Sequence, residues 1–198
     1  MCTRRVRRVI RLHGPTSLSR VVRANQRDAE FVAFVSTRRQ DLVRTAVLLC
    51  AGDEATAEDL VQTTLTRLYL SWARVRRADS PIAYARASLT NAFVDEMRRA
   101  HRRRESTLAD PTVLLVREEG ARAPDPDLQR LVLAALAELG PRQRAVVVLR
   151  HWHDLDTAET ARILGCSVGT VKSQNARALA RLRQVLGTVQ QDLLVGLG

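Results

Sequence analysis

The residues best suited to chemistry lie toward the C-terminal end. Lys172, Ser173, Gln174, Asn175, Arg177, Arg181 and Arg183 follow one another with no acid among them. Early amide and cationic donors suit base edges in a major groove, and the later arginines suit phosphates. The alternative for Arg181 and Arg183 is a solvated helix face. A second cluster, His151-Trp152-His153 with Asp154 and Asp156, holds metal-ligand residue types. An HxH pair on a helix sends its imidazoles to different faces, and no third ligand has suitable spacing, so no metal or other cofactor is expected. Trp152 is expected instead in the core. Neither a glycine-rich phosphate loop nor a nucleophile elbow is present, and scattered Asp, Glu and His residues do not make an enzyme.

The polar row must be held by a helix, and the segment Thr157–Leu182 provides for one. Ala161 is small where two helices would cross closely. Gly165, four residues later, suits the left-handed turn that ends a first helix. Ser167 can cap a second helix, and Val171 would point back into the angle between the two. A small residue, a glycine and an aliphatic at this spacing are the geometric requirement of a helix-turn-helix.

Charge places that motif in a wider plan. The 198 residues carry a net charge of +11, and Lys172 is the only lysine. A chain this basic meets a polyanion, either nucleic acid or an acidic membrane surface, unless the charge merely solvates the surface. Residues 1–27 hold eight arginines and no acid; 28–105 are nearly balanced; 106–127 are acidic; 128–186 are basic again. A basic arm (1–27, disordered or partly helical), a first domain (28–105), a linker (106–127), a second domain (128–186) and a C-terminal tail (187–198) are expected. The arm either binds DNA nonspecifically or precedes the true translation start. Cys2, Cys50 and Cys166 form no CxxC pair, so neither zinc nor a disulfide framework is suggested. No apolar run nears the ~18 residues that would span a bilayer, and a cytoplasmic protein without membrane contact is expected.

The apolar spacing is helical throughout, and aromatic residues are only 4% of the chain, so the fold class is all-α: two small helical domains joined by a flexible acidic linker. Phe31, Phe34 and Val35 begin the first domain's apolar face, and Gly52-Asp53 marks a turn. Ala57, Leu60, Val61, Leu65 and Leu68 line the next helix. Ser80 can cap a third helix with Pro81 at its first position. That helix ends in the basic run Arg98–Arg104. Asn91, Asp95, Arg98 and Arg102 share one of its faces. The run is either a phosphate-binding surface or a solvated one.

Three stretches resemble the bacterial sigma factors. Asp59, Leu60, Val61, Gln62 and Leu65 match the family's polymerase-binding helix. Tyr84 through Asn91 resembles its promoter-melting helix, and Gly169-Thr170-Val171-Lys172-Ser173 its recognition-helix signature. Order and separations agree over about residues 28–186, and the chain looks like the extracytoplasmic-function subgroup. The resemblance implies a factor that binds core RNA polymerase and directs promoter-specific initiation, and it leaves room for an anti-sigma factor. It implies core-polymerase contacts at Asp59, Leu60, Gln62, Leu65 and Arg67. It implies minus-ten contacts at Val75, Arg76, Arg77, Arg86, Asn91, Asp95, Arg98 and Arg99, with a base-capturing pocket near Val75, the loop 76–81 and Asn91. Minus-thirty-five contacts fall to Lys172, Ser173, Gln174, Arg177 and Arg181. Departures include Gln174 where many members have Arg, Ala87 for a frequent Arg, and Thr160 for an aliphatic, which should weaken the core slightly. The rivals are a LuxR-type regulator without polymerase binding, and a basic RNA- or membrane-binding helical protein. No β/α alternation supplies the sensor domain the first would need.

Overall fold

The computed structural model describes residues 16–105 and 126–195, all of them arranged as helices and short connections, with no strand among the described residues. In order they are α1 (Thr16–Leu49), α2 (Glu54–Leu70), α3 (Trp72–Val75), α4 (Pro81–Glu105), α5 (Pro126–Ala137), α6 (Pro141–Val147), a π-helical turn (Val148–Trp152), α7 (Thr157–Leu164) and α8 (Val168–Val195). Local chemistry sets several boundaries as expected. Asp53 caps α2 by accepting from Thr56 N at 3.0 Å, and Ser80 caps α4 by accepting from Ala83 N at 3.3 Å. The turn between α1 and α2 takes Ala51 and Gly52 to positive φ, 55° and 92°.

Helices extend beyond both expected domains. Helix α1 starts at Thr16, directly after Gly14-Pro15, so the later part of the basic arm is helical. Partners about forty residues away hold the middle of this helix. Phe31 packs edge-on against Tyr69 and Trp72, at 5.2 and 5.3 Å between ring centroids. Tyr69 donates to Asp28 Oδ1 at 2.8 Å, and Arg27 donates to the Tyr69 carbonyl. Such contacts leave no local signature. Helix α8 likewise runs through the expected tail as far as Val195. The arm before Thr16 and the acidic linker at 106–125 lie outside the described residues.

Helices α1–α4 enclose a core of Leu42, Leu49, Val61, Leu68, Leu89 and Phe93. The second unit does not stand apart from it. Ala145 and Val148 are buried in this same cluster, and Leu164 packs against it. From the other side, Leu48 and Ala51 of the α1 end pack against Leu136, Leu139, Val147 and Ala178. Arg144 crosses the seam: it donates to the Leu49 carbonyl at 2.9 Å and to the Ala137 and Leu139 carbonyls at 3.4 and 3.1 Å. One guanidinium thus closes the C-terminal ends of α1 and α5, where orphan carbonyls and helix dipoles favour a cation.

His153 occupies the same seam, with Nε2 3.1 Å from Thr45 Oγ1. The Thr45 hydroxyl already donates to the Asp41 carbonyl at 2.8 Å, so His153 Nε2 donates to Thr45 Oγ1. Burial, and then the nearby Arg86 cation, push its pKa down to about 4, against a weaker opposing pull from Asp41. A histidine with a depressed docked-state pKa supports docking fully above its free value of about 6.5 and loses that support as pH falls toward the docked value. The two units are therefore expected to separate more readily between pH 6.5 and about 4. An increase in scattering radius over that range, absent in His153→Gln, is the measurement; an identical profile in both proteins would remove His153 from the seam's pH response.

Candidate nucleic-acid interface

The helix-turn-helix forms through its caps. Asp156 accepts from Glu159 N at 2.7 Å, and Glu159 Oε2 accepts from Asp156 N at 3.3 Å, a capping box that starts α7. Gly165 ends it in the left-handed region at φ 60°, ψ 43°, and Ser167 Oγ accepts from Thr170 N at 3.1 Å to start α8. Ala161 and Val171 are buried in the angle between them. Thr160, expected to weaken this core, is wholly buried with its hydroxyl donating to the Asp156 carbonyl at 2.8 Å. The polar atom is satisfied, which limits its cost.

On the outer face of α8, Lys172, Ser173 and Arg177 are exposed and Gln174 is half-buried. Ser173 Oγ donates to the Thr170 carbonyl at 3.0 Å, and Arg181 pairs with Glu138 in the turn that follows α5. Beside this row lies a concavity of about 360 Å³ whose lining includes Arg150, Lys172, Asn175 and Arg183. Arg150 has no part in the expected set, and Arg183 stands there between a phosphate contact and a solvated face. Positions 172, 175, 179 and 183 follow helical spacing, a signal by which Arg183 could have been found. Asn175 is held by His151, whose Nε2 lies 3.0 Å from its Oδ1.

Trp152 is a correction: it is 54% exposed rather than core. The π-helical turn 148–152 adds a residue to the helical repeat, which carries Trp152 outward and puts His153 against α1. His151 and His153 therefore serve different neighbours, one on α8 and one on α1.

In the first unit, the side chains expected near the minus-ten element fall into three environments. Arg77 is exposed and lines, with Arg74 and Tyr84, a shallow concavity of about 500 Å³. Arg74 donates to Tyr84 Oη at 2.9 Å with its guanidinium 5.9 Å from the ring centroid. Neither Arg74 nor Tyr84 was in the expected site set, although Tyr84 opens the melting-helix motif. Asn91 is exposed on α4, and Arg98 and Arg99 make loose pairs with Asp95 and Glu96 at 3.6 and 3.5 Å. Exposed pairs of this kind are worth little, so both arginines can exchange them for phosphates. The rest have partners within the fold, although Arg76 is itself exposed. Val75 is fully buried and shapes the core instead of meeting a ligand. Arg76 pairs with Glu30 at 2.9 Å, and Arg86 pairs with Asp41 at 2.9 Å against the seam.

Helix α2 presents Asp59, Gln62 and Arg67 outward. Leu60 is buried with Ala57, Val61, Thr64 and Leu68, and Leu65 is half-buried against the same core. As Leu60 faces inward, it positions the polar row and is unavailable to a partner. The Cys50 thiol, pushed up to about 12 mainly by burial, is inert at neutral pH.

Residues 34–103 match the family model described as Sigma-70 region 2, and residues 129–182 match that of Sigma-70, region 4. The RNA polymerase sigma-E factor of Streptomyces coelicolor is 41% identical over 165 residues, covering 83% of this chain and 89% of that protein. The ECF RNA polymerase sigma factor SigC of Mycobacterium tuberculosis is 30% identical over 83% of this chain and 85% of its own length. Among solved structures, the sigma factor RpoE in complex with the anti-sigma factor NepR from Bartonella quintana superposes with a TM-score of 0.66 and 27% identity, over 80% of this chain and 97% of that one.

Proposed function

This chain belongs to the sigma-70 family as an extracytoplasmic-function sigma factor, and on that premise we propose how its surfaces divide the work of promoter-specific transcription initiation. The observation that carries the assignment is an exposed polar row on a core-packed helix, Asp59, Gln62 and Arg67 on α2, in one chain with a basic recognition helix. The α2 row meets core RNA polymerase, with Leu65 at its edge. Lys172, Gln174 and Arg177 enter the major groove of the minus-thirty-five element, and Arg150 and Arg183 take flanking phosphates. Arg77 and Asn91 hold the opened minus-ten strand, helped by Arg74 and Tyr84, while Arg98 and Arg99 hold its backbone. A LuxR-type regulator gains no support, because region 2 is present. The chain is a transcription initiation factor rather than an enzyme, and we place it in the cytoplasm, where promoter DNA and polymerase meet. Among the described residues, no helix is long and apolar enough to cross a membrane. An anti-sigma factor is a further partner, as for the Bartonella relative.

In vitro transcription from a genomic promoter library, with purified core polymerase, tests the assignment; the absence of both polymerase binding and a promoter-dependent transcript would overturn it. Within that assay, Asn91→Ala is expected to impair strand opening, read by permanganate footprinting, and to change base preference more than overall affinity. Normal opening by this variant would move the minus-ten contacts to the Arg74–Tyr84 concavity. For domain 4, Gln174→Ala is expected to relax the selected motif at one position, at about 1–3 kcal/mol of lost discrimination. Arg181→Ala should lower affinity for all sequences alike. An unchanged motif in a selection experiment would take Gln174 out of the base-reading set.

A further inference from the structure

The promoter contacts assigned above leave Asn175 unused. It is half-buried on α8, between Lys172 and Arg183 in the row that lines the concavity beside the recognition helix. Its Oδ1 lies 3.0 Å from Nε2 of His151, on the π-helical turn. A carboxamide oxygen only accepts, so the histidine nitrogen donates and Oδ1 is committed to it. The two N–H bonds of Nδ2 are left to donate to whatever enters the concavity.

The surroundings select one kind of ligand. Arg150 reaches the concavity from the π-helical turn, held by its donation to the Leu155 carbonyl. Lys172 and Arg183 line it from α8. Thr157 lines it from the first turn of α7, where backbone N–H groups and the helix dipole favour an anion. Among the described residues, no acid lines it. Base reading by asparagine is bidentate, with one acceptor and one donor against an adenine edge. Asn175, its oxygen tied to His151, offers donors alone. Donors beside three cations fit a phosphate oxygen. An untied carboxamide presents its oxygen as readily as its nitrogen, and fixing it on binding costs side-chain entropy. His151 removes both penalties before DNA arrives.

We propose that Asn175 is a ligand of one backbone phosphate of the minus-thirty-five element, and that His151 is the positioning residue that turns its amide N–H groups toward that phosphate, in the concavity shared with Arg150, Lys172 and Arg183. The proposal rests on the assignment of α8 to the minus-thirty-five element and extends it from base edges to the backbone.

Holoenzyme assembled with core polymerase, on a promoter duplex carrying the motif selected by the wild-type chain, tests it. Single methylphosphonates placed through the minus-thirty-five element neutralise one phosphate at a time. Wild type is expected to lose about tenfold in affinity at one position, the size of a hydrogen bond to a charged group. Asn175→Ala should lose severalfold less at that position and match wild type at the others. Asn175→Asp separates a phosphate ligand from a mere strut. The carboxylate keeps the side chain's shape and still accepts from His151, so a strut survives the change. Set against a phosphate, the same carboxylate should bind unmodified duplex severalfold more weakly than Asn175→Ala does. His151→Leu should reproduce the Asn175→Ala profile and add nothing to it in the double variant, while His151→Gln, whose amide can donate to Asn175, should restore the wild-type profile. An Asn175→Ala profile identical to wild type, or Asn175→Asp binding as tightly as wild type, would overturn the proposal. His151→Leu with the wild-type profile would overturn the positioning role. A wild type indifferent to every methylphosphonate across the element would overturn the assignment of α8 itself, a result distinct from the other two.

Discussion

Asp59→Ala combined with Gln62→Ala is expected to weaken binding to core RNA polymerase by about tenfold to a thousandfold, while leaving the fold intact. Both side chains project from α2 into solvent, and neither belongs to the core cluster. Gln62 makes only a long hydrogen bond, 3.4 Å, to Glu58 one turn back on its own helix. Removing them should therefore cost little stability, as surface substitutions away from caps and cores usually do. Binding is different, because a buried polar anchor at an interface typically costs roughly 1–4 kcal/mol when truncated. Each ~1.4 kcal/mol is tenfold in affinity, which gives the stated range. Titration of labelled protein into core polymerase measures the effect, and circular dichroism with thermal melting checks the fold. An unchanged affinity in a well-folded variant would place the polymerase surface elsewhere on the first unit.

Phe93→Ala has the largest expected effect on stability, a loss of about 3–5 kcal/mol. Phe93 is 1% exposed and heads the fully buried side chains by volume. It sits on α4 among Leu42, Leu49, Leu89 and Val94, and the same cluster takes in Ala145 and Val148 from the second unit. Truncation to alanine removes the transfer energy of the ring and leaves a cavity that rigid helices on several sides close only in part. Against a total of about 5–15 kcal/mol, such a loss leaves a marginal protein. Because the cluster straddles the seam, docking should weaken along with the fold, and Phe93→Leu should lose less of both. Urea unfolding followed by far-ultraviolet dichroism measures the change, and a shift of less than about 1 kcal/mol would mean that the site collapses around the smaller residue.

Much of the site was legible because its determinants are local. A capping residue, a left-handed glycine and an aliphatic at fixed offsets bring α7 and α8 together, so Ala161, Gly165, Ser167 and Val171 could be placed from spacing alone. The outward row of α2 followed from the same reasoning: if Leu60, Val61 and Leu68 face inward, Asp59, Gln62 and Arg67 face out. Residues that depend on distant partners were misplaced. Trp152 looks like a core residue until a π-helical turn shifts the register of its helix, and Val75 and Arg86 look available until the core and Asp41 claim them.

The sequence by itself determined the all-α class, the helix-turn-helix, the polar rows and the family to which they belong, because helical period and caps act within one or two turns of the chain. Tertiary structure alone decided that Arg27, Asp28 and Phe31 of α1 pack on Tyr69 and Trp72 and that the two units share a core. It also decided that Arg144 closes the ends of α1 and α5 together. Apart from the short reach of Arg144 to the end of α5, those outcomes rest on contacts between residues about forty to more than a hundred positions apart, such as Tyr69 with Asp28 and His153 with Thr45. Contacts of that span arise from complementary surfaces meeting after the helices have formed, and no periodicity along the chain records which surfaces those are.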